Sequence, residues 1–159
     1  MRVTKSPEAA EEVVAEAVSR IRKRFASRSI SVHVPDELLL IPMDSTLIAQ
    51  VLINLLENAI KHSPEDSLVV VRLKKKENFG VFEVIDHGTG IPAEDLPHIF
   101  EGYVVGDKKD TDSLRGMGIG LSICMSIIKV HGGKIEAENQ TNGGAVFRFA
   151  LPLEGSESA

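Results

Sequence analysis

One segment limits the possible folds more than any other. Between Asp44 and His62, the residues Ile48, Val51, Leu52, Leu55, Leu56, Ala59 and Ile60 recur at three- and four-residue spacing and form one broad apolar stripe. A helix with so wide an apolar face must lie against a large partner layer. Asp44 is placed to cap its first turn, and Ser63-Pro64 stops it. Residues 68–74 and 79–86 read as an antiparallel strand pair, with the charged run Lys74 to Asn78 as its solvated turn. Residues 134–139 and 145–152 read as a second pair, and Ile30, Val32 and Val34 alternate as a further strand.

Two more helices complete the pattern. Val13, Val14, Ala17, Val18, Ile21 and Phe25 share helical spacing behind Ser6-Pro7, an N-cap followed by a first-turn proline, which predicts a helix over 7–27. A third runs from about Ile119 to Val130 and stops at Gly132-Gly133 as a left-handed C-cap. Between Asp86 and Gly120 glycines, prolines and charges replace regular periodicity, apart from a short helical turn near Ala93 to Ile99. Loops of that length are usually functional or mobile. Strands alternate with helices, yet two strand pairs are hairpins. The expected fold is therefore an α/β (α+β) two-layer sandwich, a mixed sheet covered on one face by about three helices. The chain of 159 residues fits one domain, 7–153, between a flexible N-terminus, 1–6, and a disordered tail, 154–159.

Bulk chemistry removes several function classes. A net charge of −5 argues against an extended nucleic-acid footprint, so the partner is a small molecule or a protein. Cys124 is the one cysteine, which excludes an internal disulfide or a multi-thiolate zinc site and suits a reducing cytoplasm. No run approaches the roughly 18 apolar residues of a membrane span. The start, with Glu11, Glu12 and Glu16, does not read as a signal peptide, so any membrane anchor is expected elsewhere.

Three constellations carry chemistry. Asn54, Asn58 and Lys61 fall within roughly 60° of one another on the second helix, beside the apolar stripe. Two amides and an ammonium at a core's edge can offer oxygen to a hard cation and positive charge to phosphate, although the spacing alone also fits an ordinary polar face. Asp86 follows Phe82 and Val84 on one strand face and opens the turn Asp86-His87-Gly88-Thr89-Gly90-Ile91-Pro92. A carboxylate there needs a hydrogen-bond donor, for which an exocyclic amine such as adenine's is suited; a strand-end aspartate opening a turn is the plainer alternative. Gly116-Met117-Gly118-Ile119-Gly120-Leu121-Ser122 opens the third helix, where backbone amides could approach phosphate, or where glycines could simply form a hinge. It follows no strand and precedes no lysine, which argues against Rossmann and Walker loops.

In this order the three strongly resemble the catalytic and ATP-binding domain of bacterial sensor histidine kinases. Asn54 to His62 is similar to their N box, Asp86 to Gly90 to their first glycine box, Ile99-Phe100 to their F box and Gly116 to Gly120 to their second glycine box. The phrasing of Val51 to Pro64 and of Glu136 to Pro152 resembles the potassium-sensing Kdp-type kinases. The resemblance implies the Bergerat fold, with ATP held under a mobile lid at about 101–117. It implies Asn58 as the Mg²⁺ ligand, Asn54 and Lys61 as the catalytic phosphate contacts, and Asp86 as acceptor for the adenine amine. His62 would line the edge, and Gly88, Gly90, Ile91, Phe100, Gly116, Met117, Gly118, Gly120 and Leu121 would complete the ATP site.

The same resemblance implies transfer of the γ-phosphoryl group to a histidine of a separate dimerisation and phosphotransfer domain, and onward to a response regulator. The phosphoacceptor motif sets a histidine before an acidic residue and a proline. His33, His62, His87, His98 and His131 lack that context, so the chain reads as a cytoplasmic, monomeric fragment of a larger kinase. ATP-hydrolysing relatives such as gyrase and Hsp90 place a glutamate where Asn54 stands, which disfavours a GHKL-type ATPase; the related anti-sigma serine kinases carry it too. A non-catalytic nucleotide-sensing or docking module is the other alternative. Three departures stand out: no arginine lies beside the F box, so Lys108, Lys109 or Arg115 would substitute. Val146 replaces a threonine whose hydroxyl supports the aspartate, sending that bond elsewhere or to water. Met117 and Ile119 differ from the usual threonine and leucine without evident consequence. Cys124, Met125 and Ile128 read as core, and Tyr103 as either lid packing or partner contact.

Overall fold

In the computed structural model, residues 2–101 and 112–153 are described, without the side chains of 112–119. Lys108, Lys109, Tyr103, the Arg115 side chain, most of the lid segment and the tail from 154 fall outside these described residues. The wide stripe becomes α2 (Ser45–Lys61), in which Ile48, Val51, Leu52, Leu55, Leu56, Ala59 and Ile60 are all buried. Asp44 caps it, its Oδ1 accepting from the Leu47 amide at 3.3 Å. α1 (Ala10–Arg24) and α3 (Asp112–Val130) pack on either side of α2.

These helices cover one face of a five-stranded sheet. Its strands are β2 (Ser29–His33), β4 (Leu68–Lys76), β5 (Phe79–Ile85), β7 (Ala145–Pro152) and β6 (Lys134–Asn139), in the order β2-β4-β5-β7-β6. β2 and β4 run parallel and every other pairing is antiparallel, so the sheet is mixed, as expected. Phe82 on β5 stacks on Phe149 of β7 with ring centroids 4.5 Å apart, and both are fully buried beneath the helices. On the opposite face Glu83 is 4% exposed and held by Arg148 at 2.8 Å and Arg72 at 3.2 Å, a charged rung running across β4, β5 and β7.

Several expectations are corrected. Ser6-Pro7 does not cap a helix: Ser6–Ala9 form β1, paired antiparallel with β3 (Leu40–Met43), a second small sheet absent from the sequence reading. The first helix consequently begins at Ala10, whose amide donates to Leu39 O at 2.9 Å, and ends at Arg24 rather than at 27. The third helix begins at Asp112, not near Ile119, so its backbone passes through Gly116, Met117 and Gly118 in helical form. Val34 lies beyond β2, which is an exposed edge strand. The left-handed stop after α3 is present at Gly132, with φ +77°.

Candidate functional site

The sheet's order places the end of β5 beside the start of β7 and under the C-terminal half of α2. There a cleft of about 810 Å³ opens, within the range of small-ligand sites. α2 supplies Asn58, Lys61 and His62; the turn after β5 supplies Asp86, Gly88, Gly90 and Ile91; and β7 supplies Ala145 and Phe147.

Asp86 is 4% exposed. Its Oδ1 accepts from the Gly88 amide at 2.9 Å and the Ala145 amide at 3.3 Å, so the support that Val146 cannot give comes from the backbone. Its Oδ2 accepts from no group among the described residues, leaving one strong acceptor for the cleft. Burial raises the Asp86 pKa above the ordinary carboxylate value, against the opposing pull of those two amides, His62 and His87. Burial likewise lowers the His62 pKa, helped by Lys61 and opposed by Asp86, so its imidazole is neutral at pH 7. Gly88 is required by proximity: a Cβ there would lie 2.0 Å from the His62 carbonyl oxygen, where the turn presses on the end of α2.

Asn58 is 8% exposed, yet its side-chain amide makes no hydrogen bond among the described residues. A buried amide normally spends its donors and acceptor, so one left unspent against a cleft is available to a ligand. Its neutral oxygen suits a hard cation such as Mg²⁺, which takes few protein ligands and otherwise keeps water and phosphate.

Asn54, Phe100, Gly120 and Leu121 stand apart from this cleft. Asn54 joins two helices, donating to Gly120 O at 3.4 Å on α3 while accepting from Gln50 at 2.9 Å. Phe100 packs edge-on against Phe147, centroids 6.2 Å apart, and so backs the cleft wall. Leu121 is core. Cys124 and Ile128 are core as well, with Met125 packed against it, and burial pushes the Cys124 thiol up to about 12.

Two supporting residues escaped sequence reasoning. Asn139 brackets Ile91, accepting from its amide at 2.7 Å and donating to its carbonyl at 2.9 Å. Gln140 donates to Asp86 O at 3.0 Å. The available signal was the amide-rich run Asn139-Gln140-Thr141-Asn142 ahead of Gly143-Gly144, richer than a hairpin turn alone needs.

The chain is similar to known proteins along most of its length. The family described as histidine kinase-, DNA gyrase B- and HSP90-like ATPase matches residues 43–155. Sensor protein KdpD of Clostridium acetobutylicum is 47% identical over 153 residues, covering 96% of this chain and 17% of KdpD. KdpD of Escherichia coli is 37% identical over 144 residues, 91% of this chain and 16% of its own length, so the chain spans a small part of these relatives. The nucleotide-free catalytic domain of histidine kinase ThkA superposes with a TM-score of 0.81 at 31% identity, covering 96% of this chain and 99% of that one. ThkA solved in complex with the response regulator TrrA gives 0.78 at 30% identity, covering 96% of this chain and 42% of that one. With fold and relatives in agreement, the chain belongs to the histidine kinase-, DNA gyrase B- and HSP90-like ATPase family, as the ATP-binding catalytic domain of a sensor histidine kinase.

Proposed function

We propose that the cleft between α2 and the β5–β7 edge holds Mg-ATP with adenine toward Asp86 and phosphates toward Asn58 and Lys61. The γ-phosphoryl group is then delivered to a histidine on a separate dimerisation and phosphotransfer domain. The observation that carries this is the pair of unspent polar groups in one cleft, Asp86 Oδ2 and the Asn58 amide. Asp86 Oδ2 accepts from the adenine amine, and Gly88, Gly90 and Ile91 shape the base's surroundings. Lys61 contributes charge to the phosphates, His62 lines the edge as a neutral imidazole, and Asn58 offers its oxygen to Mg²⁺. When bound, Mg²⁺ neutralises charge on the β- and γ-phosphates. Asn54 reaches phosphate only by giving up its long bond to Gly120, and it cannot act as a base for water, which favours transfer over hydrolysis. Phe100 backs the site through Phe147, and the backbone at Gly116, Met117, Gly118 and Gly120, with Leu121 behind it, would complete the site only by a shift of the α3 start toward the cleft.

In the transfer itself the β–γ bridging P–O bond breaks with its electrons leaving on ADP, and a P–N bond forms to the partner imidazole. Little covalent work falls to this chain; positioning and charge supply the catalysis. A response regulator is the onward acceptor, the whole operates on the cytoplasmic side, and the isolated chain is monomeric. The ThkA–TrrA complex supports the regulator as partner. The test is to mix the chain with the phosphotransfer domain of its own kinase and radiolabelled Mg-ATP. Acid-labile label should appear on that domain and be lost with Asn58→Ala or Lys61→Ala. No label from a folded parent that binds ATP would contradict the proposal.

A further inference from the structure

Ile91 poses a structural problem that its neighbours do not solve. It is 6% exposed and lines the cleft, yet it lies in none of the strands and Pro92 after it has no amide hydrogen to donate, so no ladder serves this segment. A buried peptide N–H and C=O nevertheless need partners. Among the described residues Asn139 provides both, through its Oδ1 at 2.7 Å and its Nδ2 at 2.9 Å. Asn139 imitates a paired strand residue from the end of β6, 48 positions away in sequence. Gly90 keeps the approach open, since a Cβ there would lie 2.9 Å from Asn139 Oδ1. The other end of the turn is held from the same hairpin. Gln140 donates to Asp86 O at 3.0 Å, and the Asp86 amide donates to Ala145 O at 3.0 Å.

We infer that Asn139 and Gln140 are positioning residues for base recognition: the β6–β7 turn is a template that fixes the Asp86–Ile91 turn at both ends. Neither needs to touch the base. They set where Asp86 Oδ2 points and where the Ile91 side chain floors the cleft, while Asn58 and Lys61, carried on α2, stand outside their reach. The effect of losing them is therefore confined to the base end. This rests on the Mg-ATP reading above, and the experiment separates the two.

The 159-residue chain and its variants are titrated by calorimetry with Mg-ATP, Mg-GTP and Mg-tripolyphosphate, alongside amide hydrogen exchange at Ile91. Asn139→Ala and Gln140→Ala should each weaken ATP by about three- to tenfold, the loss expected for one or two partly exposed hydrogen bonds. Tripolyphosphate binding should stay unchanged, so the preference for ATP over GTP narrows. Asn139→Asp, which keeps the acceptor for the Ile91 amide and loses the donor, should fall between parent and alanine. Ile91 exchange should accelerate in Asn139→Ala. The inference is overturned if ATP and tripolyphosphate weaken in parallel, if ATP affinity does not change, or if Ile91 exchange is unaltered. Should Asn139→Ala fail to fold, Asn139→Asp and Gln140→Ala decide by the same ratios. A parent with no ATP preference would overturn the nucleotide reading and this inference together. A preference lost in Asp86→Asn but intact in both template variants overturns the inference alone.

Discussion

Gly143 and Gly144 offer a controlled perturbation of the turn that holds Asp86. Both have positive φ, +99° and +98°, so alanine at either position carries backbone strain of about 1–2 kcal/mol. Their surroundings differ. A Cβ at Gly143 would meet nothing nearer than Gly88 O at 3.7 Å, an ordinary contact. A Cβ at Gly144 would lie 2.0 Å from Asp86 O and 2.8 Å from its carbon, so the two backbones must separate by about 1 Å. That movement strains the bonds Gln140 N to Gly144 O, 2.9 Å, and Asp86 N to Ala145 O, 3.0 Å. Each is worth about 0.5–1.5 kcal/mol. Gly143→Ala should therefore cost about 1–2 kcal/mol and Gly144→Ala about 2–5 kcal/mol. Urea unfolding followed by circular dichroism reads the difference as a midpoint shift of roughly 1 M between the variants at unchanged slope. ATP affinity should fall in Gly144→Ala and hold in Gly143→Ala. Equal losses of stability and affinity in the two would refute the close approach as the cause.

Other outcomes follow from buried titratable groups. His131 is 1% exposed, with Nδ1 donating to Ile127 O at 2.8 Å and Nε2 accepting from the Asp44 amide at 3.0 Å, so the fold needs the neutral imidazole. Burial and Lys5 lower its pKa against Ile127 and Asp44, so its contribution is present above the unfolded value of about 6.5 and lost as pH falls below it. The parent should lose stability from pH 7 to 5 more steeply than His131→Gln, with the slope of His62 common to both. Burial alone would raise the Glu83 pKa, but Arg148, Lys74 and Arg72 outweigh it and hold it low. Glu83→Gln should therefore cost about 1–3 kcal/mol at pH 7, with the deficit shrinking as the parent's carboxylate protonates below its unfolded pKa. Cys124, its pKa pushed up to about 12, should resist iodoacetamide at pH 8 in the folded chain and react on unfolding.

The parts of the fold legible in the sequence are those governed by long, regular apolar patterns. α2 and the strands 134–139 and 145–152 were readable because every turn or alternate residue faces one core. β1 and β3 were not. Each has four residues, Pro7 sits opposite Pro42, and the pairing joins segments some 34 positions apart, so local pattern argued against both strands. The start of α3 was misplaced because three glycines within five residues read as loop, whereas the helix runs on through them. In the cleft, Asn58 and Lys61 drew notice as polar residues beside an apolar stripe, and Asp86 as a carboxylate ending an apolar strand face. Asn139 and Gln140 beside the cleft, and His131 away from it, did not, because their meaning lies in backbone groups of distant segments, at Ile91, Asp86 and Asp44.

On the proposed function, one cleft reads adenine at Asp86 and Mg²⁺ at Asn58. Calorimetric titration of ATP with and without Mg²⁺, on the parent, Asp86→Asn and Asn58→Ala, tests it most directly. The expected result is Mg-dependent binding by the parent, loss of the preference for adenine over guanine in Asp86→Asn, and loss of the Mg²⁺ enhancement in Asn58→Ala. Binding by the parent that neither variant alters, or no ATP binding by the folded parent, would contradict it.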